Sequence, residues 1–141
     1  MPHLVLLYSG NLETETDMTA LCRRLADAML TVRDETGQQV FPTGGVRVFA
    51  YPASHSAVAD GERDYAFVYL NLRMGRGRTE AVKKHAGETL LAAAKAHFEP
   101  LFARRYLGLT LQIDEGQEVF DAKHSTIHPL FRKSRTCCRR L

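Results

Sequence analysis

The apolar and polar positions of this chain fall twice into the order strand, helix, strand. His3 to Tyr8 is a continuous apolar run, as expected of a strand covered on both faces, and Gly10-Asn11 ends it. A helix then begins on a capping side chain at Thr14 or Asp17, and Met18, Leu21, Cys22, Leu25, Met29 and Val32 recur along one of its faces. Gly37 is the stop signal. A loop with Pro42, Gly44 and Gly45 leads into an extended segment, Val46 to Tyr51, in which Val46, Val48 and Ala50 face one way and Arg47 and Phe49 the other.

The second half repeats this order. After the polar turn Ala59-Asp60-Gly61-Glu62, the segment Tyr65 to Arg73 sets Ala66, Val68, Leu70 and Leu72 on one face and Tyr65, Phe67, Tyr69 and Asn71 on the other. The turn Met74 to Thr79 uses its glycines for backbone freedom and Thr79 as the cap of a long helix, Glu80 to about Arg104. Val82, Ala86, Leu90, Ala93, Ala94 and His97 are its expected buried face, and Pro100 is expected to kink it or to start a separate turn. Tyr106 to Asp114 is the last strand, with Leu107, Leu109, Leu111 and Ile113 on one side. The weakly periodic stretch Phe120 to Phe131 is expected to dock as a short segment.

Two such units predict an α+β protein built on a duplicated β-α-β motif, a sheet of parallel pairs with both helices on one face. The other face carries Tyr65, Phe67 and Tyr69, too apolar for a solvated surface, and so predicts burial against other subunits in a closed oligomer.

Composition narrows the class. A chain of 141 residues with 45% apolar content is expected to be one soluble globular domain, since no apolar stretch approaches the ~18 residues of a membrane span and no signal-peptide pattern is read at its start. The cytoplasm is the expected compartment. Three cysteines, Cys22 in the helix core and Cys137 and Cys138 adjacent near the end, give neither a disulfide framework nor a metal spacing. The net charge is +3, yet Arg132, Lys133, Arg135, Arg139 and Arg140 near the C-terminus are all positive, so the body without them is at −2. The expected organisation is one domain over residues 1–133 and a solvated, mobile basic tail over 134–141, with no nucleic-acid or membrane partner.

Three residues suggest chemistry. Met1 is followed by Pro2, and because an initiator methionine is normally trimmed before a small residue, the mature chain is expected to begin with a free prolyl amine, a compact base with restricted torsion. Arg78 stands just ahead of a helix N-terminus, where unpaired N–H groups and the helix dipole favour an anion, and Arg47 follows a glycine turn. Moving a proton within an acidic dienol needs a base near neutral pKa and cations that hold carboxylates and developing enolate charge. A guanidinium about 6 Å from the amine, at an effective dielectric of about 20, disfavours its ammonium form by roughly 2 to 3 kcal/mol and keeps it largely neutral. No metal or cofactor is required.

Pro2-His3, Gly44-Gly45-Val46-Arg47, Ala59-Asp60-Gly61 with Asp64 to Val68, Met74 to Arg78, Ala86-Gly87-Glu88 and His128 to Phe131 together resemble the 5-carboxymethyl-2-hydroxymuconate delta-isomerases of the tautomerase superfamily. The resemblance covers Pro2 to about Lys133 with its blocks in order. It implies a trimer, the mature proline as base, Arg47 and Arg78 as carboxylate-binding residues, and an isomerase of aromatic-compound catabolism acting on a small di- or tricarboxylate. The segment Thr31 to Gln39 is longer than in the family and the tail is additional. His3 and His128 are read as structural. Two other functions remain open on the same fold: a non-catalytic trimer that binds small acids, and a hydratase or dehalogenase of unsaturated acids, for which no carboxylate stands beside Pro2 in the matched blocks.

Overall fold

In a computed structural model of the protein, residues 2–131 are described. The basic tail with Cys137 and Cys138 lies outside the described residues.

Four strands, β1 (His3–Ser9), β2 (Val48–Ala53), β3 (Tyr65–Met74) and β4 (Tyr106–Glu115), form one sheet in the order β2-β1-β3-β4. β1 pairs β2 in parallel and β3 pairs β4 in parallel, and the two units meet at an antiparallel seam between β1 and β3. The helices α1 (Met18–Thr31) and α2 (Glu80–Phe102) pack on each other and on one sheet face. Leu4, Leu6, Tyr8, Val68, Leu70 and Leu72 fill that core and are almost fully buried.

Among the described residues nothing covers the opposite face: Leu7, Phe49, Tyr51 and Phe67 are exposed on it. Phe67 lies over Gly108 of β4 so closely that a Cβ there would enter the ring. The expected aromatic face is present, and it extends onto β1 and β2.

Local chemistry sets the boundaries. Asp17 caps α1 by accepting from Ala20 N at 3.0 Å, a contact worth about 1 kcal/mol. The helix ends at Thr31 rather than near Gly37, because Asp34 folds the next residues into a turn: its Oδ1 accepts from Thr36 N and Gln38 N, and Gly37 supplies the positive φ of 82°. β2 starts at Val48, two residues later than expected. Thr43–Gly45 forms a 3-10 turn, and Val46 N is still bonded to Thr43 O. The strand runs on through Pro52, which an edge strand tolerates.

α2 continues through Pro100 to Phe102 with no separate turn. Phe98 takes the core position expected of His97, and His97 stays half-buried, bonded to Thr16 Oγ1 at 2.8 Å. Cys22 is half-buried at the edge of the core rather than within it, and burial pushes its thiol pKa up. Among the described residues no helix is long and apolar enough to cross a membrane.

His128–Phe131 docks as a short 3-10 turn on Thr43–Gly45. The seat requires glycine, since a Cβ on Gly44 would stand 2.7 Å from the His128 Cα. Gly44→Ala is therefore expected to lift this segment and lower the melting temperature by about 3–8 °C, for a loss of about 1 kcal/mol. Calorimetry with limited proteolysis checks it, and an unchanged melting temperature and cleavage pattern would contradict it.

Candidate active site

The antiparallel seam brings the starts of β1 and β2 to the same end of the sheet as the exits of β3 and β4. Pro2 is buried there, immediately before β1. Leu4 N donates to Arg47 O at 3.3 Å, which fixes Arg47 beside the start of β1.

The Arg47 guanidinium lies against the His3 imidazole. Its Nε donates to His3 Nδ1 at 3.0 Å, Nη2 stands 2.6 Å from Nε2, and Nη1 donates to Gly45 O at 3.3 Å. An arginine has only donors, so the histidine nitrogen that accepts must be unprotonated. Burial and the Arg47 charge both hold the His3 pKa below its ordinary value, which agrees with a neutral ring. His3, read as structural, is hydrogen-bonded to Arg47 but stands exposed at the strand start rather than packed. His128 does dock structurally.

Arg78 sits in the turn between β3 and α2, where Gly77 has a φ of 102°. Thr79 caps α2 as expected, accepting from Val82 N at 3.3 Å and donating to Glu35 Oε1 at 2.8 Å. The long segment after α1 therefore reaches the start of α2. Arg78 Nη1 donates to Gly75 O and Nη2 to Val40 O, each at 3.1 Å, and the guanidinium stands 5.4 Å from the Phe41 ring centroid. Two of its five donors hold backbone carbonyls, and this braces the Gly75 turn.

A cavity of about 610 Å3 opens at this end of the sheet. His3, Arg47, Arg73, Met74 and Gly75 line it together with Glu118, Asp121, Ala122 and Lys123. Arg47 lines it. Pro2 and Arg78 do not: Pro2 is buried just before His3, and Arg78 meets the cavity through the Gly75 carbonyl that it holds. Sequence reasoning did not place Arg73 or His3 at this cavity. The signal for Arg73 lay in the period-2 phase of β3, which puts it on the same face as Tyr65, Phe67 and Tyr69, at the strand end nearest the candidate site.

The duplicated β-α-β sheet defines the class of fold. The fold is that of the tautomerases: a solved structure described as a fused 4-OT wild-type symmetric trimer superposes with a TM-score of 0.57 at 19% identity, over 92% of this chain and 99% of that one. The family model for 5-carboxymethyl-2-hydroxymuconate isomerase matches residues 2–131, and the chain belongs to that family, so it is an isomerase. It is 32% identical over 132 residues to the 5-carboxymethyl-2-hydroxymuconate Delta-isomerase of Escherichia coli, covering 94% of this chain and all of that one. A crystal structure of a 5-carboxymethyl-2-hydroxymuconate delta-isomerase is 61% identical with a TM-score of 0.91, over 94% of each chain. Another, from Deinococcus radiodurans R1, is 39% identical with a TM-score of 0.83, over 94% of this chain and 95% of that one.

Proposed function

We propose that the protein isomerises 5-carboxymethyl-2-hydroxymuconate, a dienol, to its conjugated ketone in the cytoplasmic breakdown of aromatic compounds. With Met1 removed, the secondary amine of Pro2 takes a proton from one end of the conjugated system and returns it at the other, with no net change in protons and no cofactor. Arg47 and Arg78 hold substrate carboxylates, and Arg47 also receives the charge that develops on the enolate oxygen. Residues 1–133 form the working domain, three copies of which close over their aromatic sheet faces, and 134–141 are an appended basic tail.

One observation supports this reading: Pro2, buried immediately before β1, shares a sheet end with one guanidinium against His3 and a second that braces the Gly75 turn. Relatives named for this isomerisation support the choice of substrate. The test is ultraviolet absorbance over a panel of 2-hydroxymuconate dienols. Rapid turnover of the 5-carboxymethyl compound supports the proposal; slow turnover of every dienol with micromolar binding would favour a non-catalytic acid-binding protein.

The two arginines separate kinetically. If Arg78 contributes equally to ground and transition states, Arg78→Ala raises KM by about 10- to 100-fold with little change in kcat. Arg47→Ala raises KM and also lowers kcat by about 10-fold or more, because a charge aimed at the enolate acts in the transition state. Wild-type kinetics in both variants would refute the assignment.

A further inference from the structure

Strand register places four polar residues in one row across the sheet at the candidate site. His3 pairs with Arg73 and Arg73 with Asp114, while Arg47, just before the Leu4 partner Val48, stands beside His3. Two guanidiniums thus flank one imidazole whose pKa is held down by burial and by Arg47. Like charges brought together across strands are unfavourable, so a row of this kind needs anions nearby.

Among the described residues, the carboxylates around Arg73 answer that need poorly. Asp114 Oδ2 is taken by Asn71 at 2.8 Å, and Asp121 by Lys123 at 2.6 Å. The ion pair recorded for Arg73 among the described residues is with Glu118, at 3.7 Å, beyond hydrogen-bond distance and with both side chains about half exposed. Glu118 lines the same cavity as Arg73 and Arg47. It occupies the place of an anion without holding it firmly.

We propose that Arg73 is a specificity-determining residue that binds the carboxymethyl carboxylate of the substrate, with Glu118 as the loose internal anion that the substrate displaces. The proposal rests on the isomerase reading above. 2-Hydroxymuconate has two carboxylates, for which Arg47 and Arg78 suffice, whereas the 5-carboxymethyl compound has a third. A guanidinium suits it because its planar fork takes a carboxylate in two parallel hydrogen bonds.

The test is kcat/KM for both dienols in the wild type and in Arg73→Gln, Arg73→Lys and Glu118→Gln. Arg73→Gln should lower kcat/KM for the 5-carboxymethyl compound by about 10- to 100-fold, mainly through KM, and for 2-hydroxymuconate by no more than about 3-fold. Retained turnover of the smaller dienol also verifies folding. Arg73→Lys should recover part of the loss, and Glu118→Gln should lower KM for the larger dienol by about 2- to 5-fold, a gain that a merely structural role would not produce. A wild type active on both dienols, whose Arg73→Gln variant keeps the wild-type ratio between them, would overturn the Arg73 assignment alone. A wild type that turns over neither would overturn the isomerase reading and the subsite with it.

Discussion

Pro2→Ala is expected to lower kcat for the dienol by about 100-fold or more, in line with the 10²–10⁴-fold that a positioned general base contributes. The variant still begins with an amine, so activity should fall without vanishing. Alanine changes two properties of the base at once: the amine becomes primary, and it gains the torsional freedom that the pyrrolidine ring removes. The start of β1 should survive the change, since its pairing runs through Leu4 to Arg47 O and through His3 to Arg73 of β3. Absorbance kinetics on a variant with the wild-type melting temperature check the prediction. A wild-type kcat would remove Pro2 from the mechanism.

Phe67→Asp should abolish assembly and activity together. Phe67 is 39% exposed in the protomer, on the face it shares with Leu7, Phe49 and Tyr51, all about half exposed. The described residues, with both helices on the other side, leave that face uncovered, and three chains closing around an axis would cover it. A carboxylate there would be buried unpaired at a cost of several kcal/mol, as much as many interfaces can supply. The isolated protomer tolerates the change because the site is open to water within it. Light scattering should show a folded monomer for the variant and a trimer for the wild type, and a fully active wild-type monomer would contradict the architecture.

What the sequence made legible follows from how local each determinant is. The alternation from Tyr65 to Arg73 and the Thr79 cap depend on residues within a few positions and place β3 and the start of α2 correctly, and of the two caps offered for α1, Thr14 and Asp17, the structure uses Asp17. The duplicated order, the uncovered aromatic face and the docking of His128–Phe131 follow from the same reading. Boundaries failed where side chains outcompeted periodicity: Asp34 built a turn that used Gly37, and Thr43–Gly45 delayed β2. On α2, helical spacing could not decide between His97 and Phe98, and the core took the larger apolar ring.

At the site, residue types were legible and their partners were not. Arg78 was marked by its place ahead of a helix, but its bond to Val40 O spans 38 positions and depends on how the longer segment after α1 folds back. Arg47 meets His3 across 44 positions through the β1–β2 pairing. Arg73 lay at the end of a correctly read strand, and only the register of β1 on β3 sets it opposite His3.

The central claim is that the prolyl amine is the base, and it depends on a single peptide bond. While Met1 is attached, the Pro2 nitrogen is an amide with no lone pair to accept a proton at neutral pH; once Met1 is removed it is a secondary amine. The direct measurement is turnover of 5-carboxymethyl-2-hydroxymuconate by preparations whose Met1-bearing and Pro2-starting fractions are fixed by intact mass. The account predicts that the rate is proportional to the Pro2-starting fraction and extrapolates to zero when Met1 is fully retained. Equal specific activity from a chain that still carries Met1 throughout would contradict it.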